Sequence, residues 1–153
     1  METPSHTRSP GGQWGTIVGW ALVAAVGGLA CVVVPAYLFP PAKIEPEYGH
    51  PLIPWFARAF ANLNFVGTLV SMSALGFVLG FAQPRWWWVS CCLTALLPIV
   101  LNAVNLVHDL DVDPGSHNLF PFEFAFLIFL SSPAVVFGLV GCVVRKVVRR
   151  RTA

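Results

Sequence analysis

The stretch AFANLNFVGTLVSMSALGFVLGFAQP, residues 59–84, contains no Asp, Glu, Lys, Arg or His. A transmembrane helix needs about 20 consecutive apolar residues, so this stretch is long enough to cross a bilayer. It also contains Gly76 and Gly80, in the GxxxG spacing that lets two membrane helices approach closely. The stretch therefore predicts a membrane-spanning helix that packs tightly against a second helix.

Three further stretches of the 153-residue chain also lack charged residues and histidine: 14–39, 86–107 and 124–144. The chain is only 10% charged, whereas a soluble domain is typically about 25% charged. Lipid cannot satisfy exposed backbone groups, and these stretches lack the alternation of a barrel strand, so each is predicted to be a helix. The predicted fold is an all-α integral membrane four-helix bundle.

The predicted single transmembrane domain covers residues 14–144. Its parts are spans at about 14–39, 59–84, 86–107 and 121–144, outer loops at 40–58 and 108–120, an N-terminal tail at 1–13 and a basic C-terminal tail at 145–153. The last span is extended to Pro121 because proline suits the first turn of a helix. The bilayer is the predicted partner, and a net charge of only +2 argues against nucleic acid.

The basic residues predict the orientation in the membrane. The two tails and the connection between spans two and three hold seven of the nine Lys and Arg residues. Six of the seven acidic residues lie in or beside the other two connections. Short cytoplasmic loops are enriched in Lys and Arg, so both termini are predicted to be cytoplasmic and the acidic connections to face outward.

Helical phase, counted at about 100° per residue, predicts which faces meet inside the bundle, because small and polar residues turn toward protein in lipid. The predicted inner faces are Gly15, Gly19, Val26 and Ala30 on the first span; Arg58, Asn62, Leu69, Ser73, Gly76 and Gly80 on the second; Pro98, Asn102, Asn105 and Asp109 on the third; and Glu123, Leu127, Ala134, Gly138, Gly141 and Arg145 on the fourth. A kink at Pro133 would rotate the lower half of the fourth face. The glycine faces also suit a membrane-protein partner or a second copy of the chain.

The outer half of this predicted interior is polar. It collects Arg58, Asn62, Asn102, Asn105, Asp109 and Glu123. Ionisable groups inside a membrane are costly and usually paired. We therefore expect Glu123 or Asp109 to neutralise Arg58 within a ligand-binding cluster open to the outside. In the alternative interpretation, these groups reach the membrane interface and hold the helix ends together.

The acidic connection before the last span raises the question of a metal site. Asp109, Asp111 and Asp113 match the first three ligand positions of a calcium loop. However, Pro114 replaces the required glycine, and Phe120 replaces the bidentate glutamate. The chain also lacks G-x-S-x-G, H-E-x-x-H and C-x-x-C, and its four cysteines are predicted to be packing residues. We predict no metal, no cofactor and no catalytic residue.

One segment resembles a known pattern. Ser116–Glu123, SHNLFPFE, is similar to an SHNLWPFE-type segment that precedes the last helix in small, mostly uncharacterised bacterial membrane proteins. Phe120 stands where that pattern has Trp. The resemblance covers eight residues and the four-span layout, implies a bacterial inner (plasma) membrane location, and implies no particular activity. It adds His117 and Asn118 to Glu123 as candidate ligand-binding residues.

Three function classes follow from the sequence. The first is a multi-pass membrane protein whose outward polar pocket binds a small ligand, a lipid headgroup or a partner. The second is a structural or accessory subunit of a membrane complex. The third is a membrane enzyme or carrier, which the missing nucleophile and metal motifs disfavour without excluding it.

Overall fold

The computed structural model describes residues 10–40, 51–112 and 120–152, and all regular structure in these ranges is α-helical. Its helices are α1 Pro10–Leu38, α2 Pro54–Ala61, α3 Phe65–Ala82, α4 Trp87–Leu93, α5 Leu96–Val112 and α6 Phe120–Arg151. Four segments are long and apolar enough to cross a membrane: Gly15–Leu38, Phe65–Ala82, Trp87–Val112 and Pro121–Arg151. The predicted all-α protein with four such helices is confirmed.

The second span differs from its prediction, because 59–84 is not one helix. Asn62 ends α2, and its backbone N–H and its Nδ2 both donate to the Arg58 carbonyl at 3.1 Å. Asn64 then caps α3, since its Oδ1 accepts from the Gly67 N–H at 2.8 Å. Asparagine favours helix ends because its side chain competes for backbone hydrogen bonds. Arg58 and Asn62 therefore belong to a separate short helix.

The third span is divided into α4 and α5 at Thr94, for a different reason. Pro98 has no backbone N–H, so the Thr94 carbonyl lacks the donor that a continuous helix would supply. The Thr94 N–H donates instead to the Cys91 carbonyl at 3.3 Å, as in a tighter turn. The Thr94 carbonyl faces Gly28 of α1, where a Cβ atom would overlap with the carbonyl oxygen. The break thus creates a contact that only glycine fits.

The core of the bundle is the contact between α3 and α6, the most extensive between any two described helices. Gly76 and Gly80 lie directly against the α6 backbone at Ala134 and Gly138. Gly141 of α6 lies in turn against the α3 backbone. Because glycine has no side chain, the two backbones can touch. The glycine faces predicted for the second and fourth spans are confirmed.

Pro133 lies within α6 but does not rotate its lower half. The Ser132 hydroxyl donates to the Phe129 carbonyl at 2.7 Å, which replaces the N–H that Pro133 lacks. Arg145, about three turns further on, remains on the inner side, where its Nη1 donates to the carbonyls of Phe81 and Ala82 at 2.7 and 2.5 Å. These carbonyls belong to the last turn of α3, which has no intrahelical donor for them.

The inner face predicted for the first span is wrong. Nothing lies within 4 Å of a Cβ atom built on Gly15 or Gly19, and Val26 is 57% exposed. The buried line runs instead through Ala24, Gly28 and Val32. Helix α1 carries small residues on several of its own sides, so the shapes of the neighbouring helices determine which side packs.

Candidate outward polar site

At the end of the bundle where α1 and α5 end and α6 begins, called the outer end after the predicted orientation, side-chain hydrogen bonds link helix ends. The Tyr37 hydroxyl of α1 donates to the Trp55 carbonyl of α2 at 2.9 Å. Asn64, besides capping α3, donates through Nδ2 to the Phe39 carbonyl at 2.7 Å. Sequence reasoning missed both Tyr37 and Asn64. The sequence Asn-Leu-Asn at 62–64 was the available signal, because two helix-capping residues flank a single leucine.

Helix α5 supplies the largest part of the predicted cluster. Asn102, Asn105 and Asp109 recur on one face, and they are 7%, 6% and 9% exposed. The helix continues to Val112, beyond the predicted end of the span at 107, so Asp109 lies on a helix and not in a loop. Asp111, on another side of the same helix, is exposed. The predicted inner face of the third span is confirmed.

Glu123 joins this face from α6. The Asn102 Nδ2 donates to the Glu123 Oε2 at 3.2 Å, which links α5 to the first turn of α6. A carboxylate in the first turn also interacts favourably with the positive helix N-terminus. Glu123 is therefore placed to orient the buried Asn102 amide and to stabilise its own helix.

Two of the predicted site residues form hydrogen bonds at the ends of α2. Asn105 accepts a hydrogen bond from the Ile53 N–H at 2.8 Å, which fixes the segment that enters α2. Asn62, which is 7% exposed, bonds to its own helix through the Arg58 carbonyl. The Asn105 contact fits the alternative interpretation, in which polar side chains tie the outer helix ends, whereas the Asn62 contact caps α2.

The charged residues of the predicted cluster differ in exposure. The Arg58 side chain is exposed, Asp109 is buried and Glu123 is half-buried. Each also engages a further group of the chain. Pairing of Arg58 with Glu123 or Asp109 stays a prediction. The candidates His117 and Asn118 lie outside the described residues.

The described site can bind hydrogen-bonding and charged groups. Its amides donate and accept, and its carboxylates can pair with a cation. Among the described residues, no group of three or more His, Cys, Asp or Glu side chains lies together as metal ligands would. Cys91 is buried against the Gly138 position and Cys92 is exposed, so the adjacent thiols point to different sides of α4.

Comparison with known proteins gives no further evidence on function. No family model, no curated protein and no solved structure matches this chain. The resemblance of Ser116–Glu123 to the SHNLWPFE-type segment therefore stays a prediction. Four apolar helices support a multi-pass membrane protein, and any finer function has to come from the site itself.

Proposed function

We propose that this multi-pass membrane protein binds a small polar ligand at the outer end of its bundle. The observation that carries the proposal is the Asn102–Glu123 hydrogen bond, on the same face of α5 as the buried Asp109 carboxylate. Ionisable groups within membrane helices are costly, and they usually mark a functional site. The cluster contains two carboxylates, Asp109 and Glu123, and one guanidinium, Arg58, so its charges favour a ligand with a positively charged group.

The test uses soluble amines, namely spermidine, arginine and choline, added to the purified protein in detergent. We expect at least one of them to raise the unfolding temperature. Glu123→Gln keeps an oxygen that can accept from Asn102 but removes the negative charge. It should therefore fold normally and bind the amine about tenfold more weakly, the factor expected for one lost charge-assisted hydrogen bond.

Asp113→Asn is the control, because it removes the same charge from the acidic connection and Asp113 belongs to neither proposed site. Its response to the amines should equal that of the wild type. The proposal fails if no amine stabilises the wild type, or if Glu123→Gln responds as strongly as Asp113→Asn.

The same proposal places both termini in the cytoplasm of a cell with a bacterial inner membrane, on the basis of the basic tails and the acidic connections. In a variant without native cysteines, a single cysteine replacing Asp111 should react with a membrane-impermeant maleimide on intact cells. A cysteine replacing Val148 should react only after permeabilisation. The reverse labelling pattern would place the polar site in the cytoplasm.

A second candidate function, an accessory subunit of a membrane complex, is favoured by a separate observation. Gly15 and Gly19 face away from the bundle with no atom within 4 Å of a built Cβ. Outward GxxxG spacing on an apolar helix suits close packing against another membrane helix, from a partner or a second copy. This function predicts a chain that co-purifies with the wild type and is lost in Gly19→Leu.

A further inference from the structure

An open groove of about 810 Å³ lies on the exposed side of α5, opposite the polar cluster. Its apolar wall includes Leu52, Val100, Val104 and Val107, and its outer end carries His108 and Asp111. Asp109 and Asp111 are two residues apart on a helix, so they point to different sides of it. The groove is therefore separate from the site that contains Asp109.

The groove matches one leaflet of a bilayer in length. Positions 100, 104, 107 and 111 recur on one face of α5. From Val100 to Asp111 the helix rises about 16 Å at about 1.5 Å per residue, close to half of the roughly 30 Å hydrocarbon core. A lipid whose headgroup contacts Asp111 would therefore extend its acyl chains along Val107, Val104 and Val100.

One wall of the groove is held in place by the polar cluster. Leu52 lies next to Ile53, whose N–H donates to the Asn105 side chain of α5 at 2.8 Å. This bond fixes the 51–53 segment against α5, although Leu52 itself is exposed. The polar cluster therefore positions one edge of the groove.

We propose that this groove binds a lipid with a phosphoethanolamine headgroup. The Asp111 carboxylate pairs with the primary ammonium, and the His108 imidazole donates a hydrogen bond to the phosphate. A choline headgroup carries no ammonium hydrogen to donate to Asp111. A lipid with net negative charge is repelled by the same carboxylate, so charge complementarity selects the zwitterionic amine.

The test is native mass spectrometry of the full chain, released from a bilayer of ethanolamine, choline and glycerol phospholipids with identical acyl chains. The wild type should retain the ethanolamine lipid about tenfold over the choline lipid, as expected for one charge-assisted hydrogen bond. Asp111→Asn should retain lipid without this preference. Val104→Trp, which fills the groove, should lose the bound lipid.

Two controls separate this site from others. Glu123→Gln should keep the full preference, because Glu123 lies on the other side of α5; a failure of the soluble-amine site thus leaves this result unchanged. Val78→Trp places the same side chain on an exposed position of α3 and should retain lipid as the wild type does. Equal retention of the three lipids by the wild type, or an unchanged preference in Asp111→Asn, overturns the proposal.

Discussion

Replacement of Gly80 by leucine is expected to prevent assembly of the bundle. A Cβ atom at this position would overlap with the Gly138 carbonyl oxygen, and it would lie 2.6 Å from the carbonyl carbon. Both atoms are backbone, so relief requires α3 and α6 to separate. Membrane helices associate mainly through such close van der Waals packing, so we expect a loss larger than the roughly 1–3 kcal/mol of ordinary overpacking. Gel filtration in detergent should show aggregate, with no cooperative thermal unfolding.

Gly19→Leu is the matched control, because a Cβ atom built on Gly19 meets no atom within 4 Å. Leucine has a higher helix propensity than glycine, so the unfolding temperature of this variant should equal or slightly exceed that of the wild type. A Gly80→Leu protein as stable as Gly19→Leu would show that α3 and α6 do not touch at Gly80.

The two glycine pairs also show what helical phase can predict. The prediction for Gly76 and Gly80 is correct, and they are the only two glycines of α3 in GxxxG spacing. On α1, small residues lie on several sides, and phase alone pointed to Gly15 and Gly19. The packed side passes through Gly28 because the Thr94 carbonyl requires a glycine opposite it. A contact of that kind depends on the conformation of another helix and is not visible in the sequence of α1.

Helix continuity was the second feature that sequence could not supply. The absence of charge in 59–84 and 86–107 locates the chain in lipid, but it does not determine whether each helix is unbroken. Breaks within a membrane are tolerated where other groups satisfy the backbone. Asn62 and Asn64 satisfy backbone groups at the first break, just before the span Phe65–Ala82, and Pro98 enforces the second break, within the span Trp87–Val112.

The predicted site was most accurate where one helix carries several of its residues. Asn102, Asn105 and Asp109 share the continuous α5, so their common buried face followed directly from spacing. The hydrogen bond from Asn102 to Glu123 joins two helices. The sequence predicts only that these two residues lie at a similar depth in the membrane. The specific bond that Asn105 forms with the Ile53 N–H was not predictable, because it depends on how the 51–53 segment crosses α5.

Alanine substitutions at the adjacent residues Gly27 and Gly28 are expected to have very different effects. A Cβ atom at Gly28 would overlap with the Thr94 carbonyl oxygen and lie 2.7 Å from the Thr94 Cα, both backbone atoms. At Gly27 the nearest atoms are the terminal carbons of the Leu75 side chain, at 3.1 and 3.2 Å, which can rotate away. Gly28→Ala should therefore lose about 1–3 kcal/mol, and Gly27→Ala should be close to neutral.

The pair isolates the steric effect, because alanine raises helix propensity equally at both positions, by about 1 kcal/mol. The measurement is thermal unfolding in one detergent, where Gly28→Ala should unfold several degrees below Gly27→Ala. Adding Pro98→Ala to Gly28→Ala should recover part of the loss, since an N–H at position 98 would draw the Thr94 carbonyl back into the helix and away from α1. Equal unfolding temperatures for the two alanine variants would mean that the carbonyl released by Pro98 does not lie against α1.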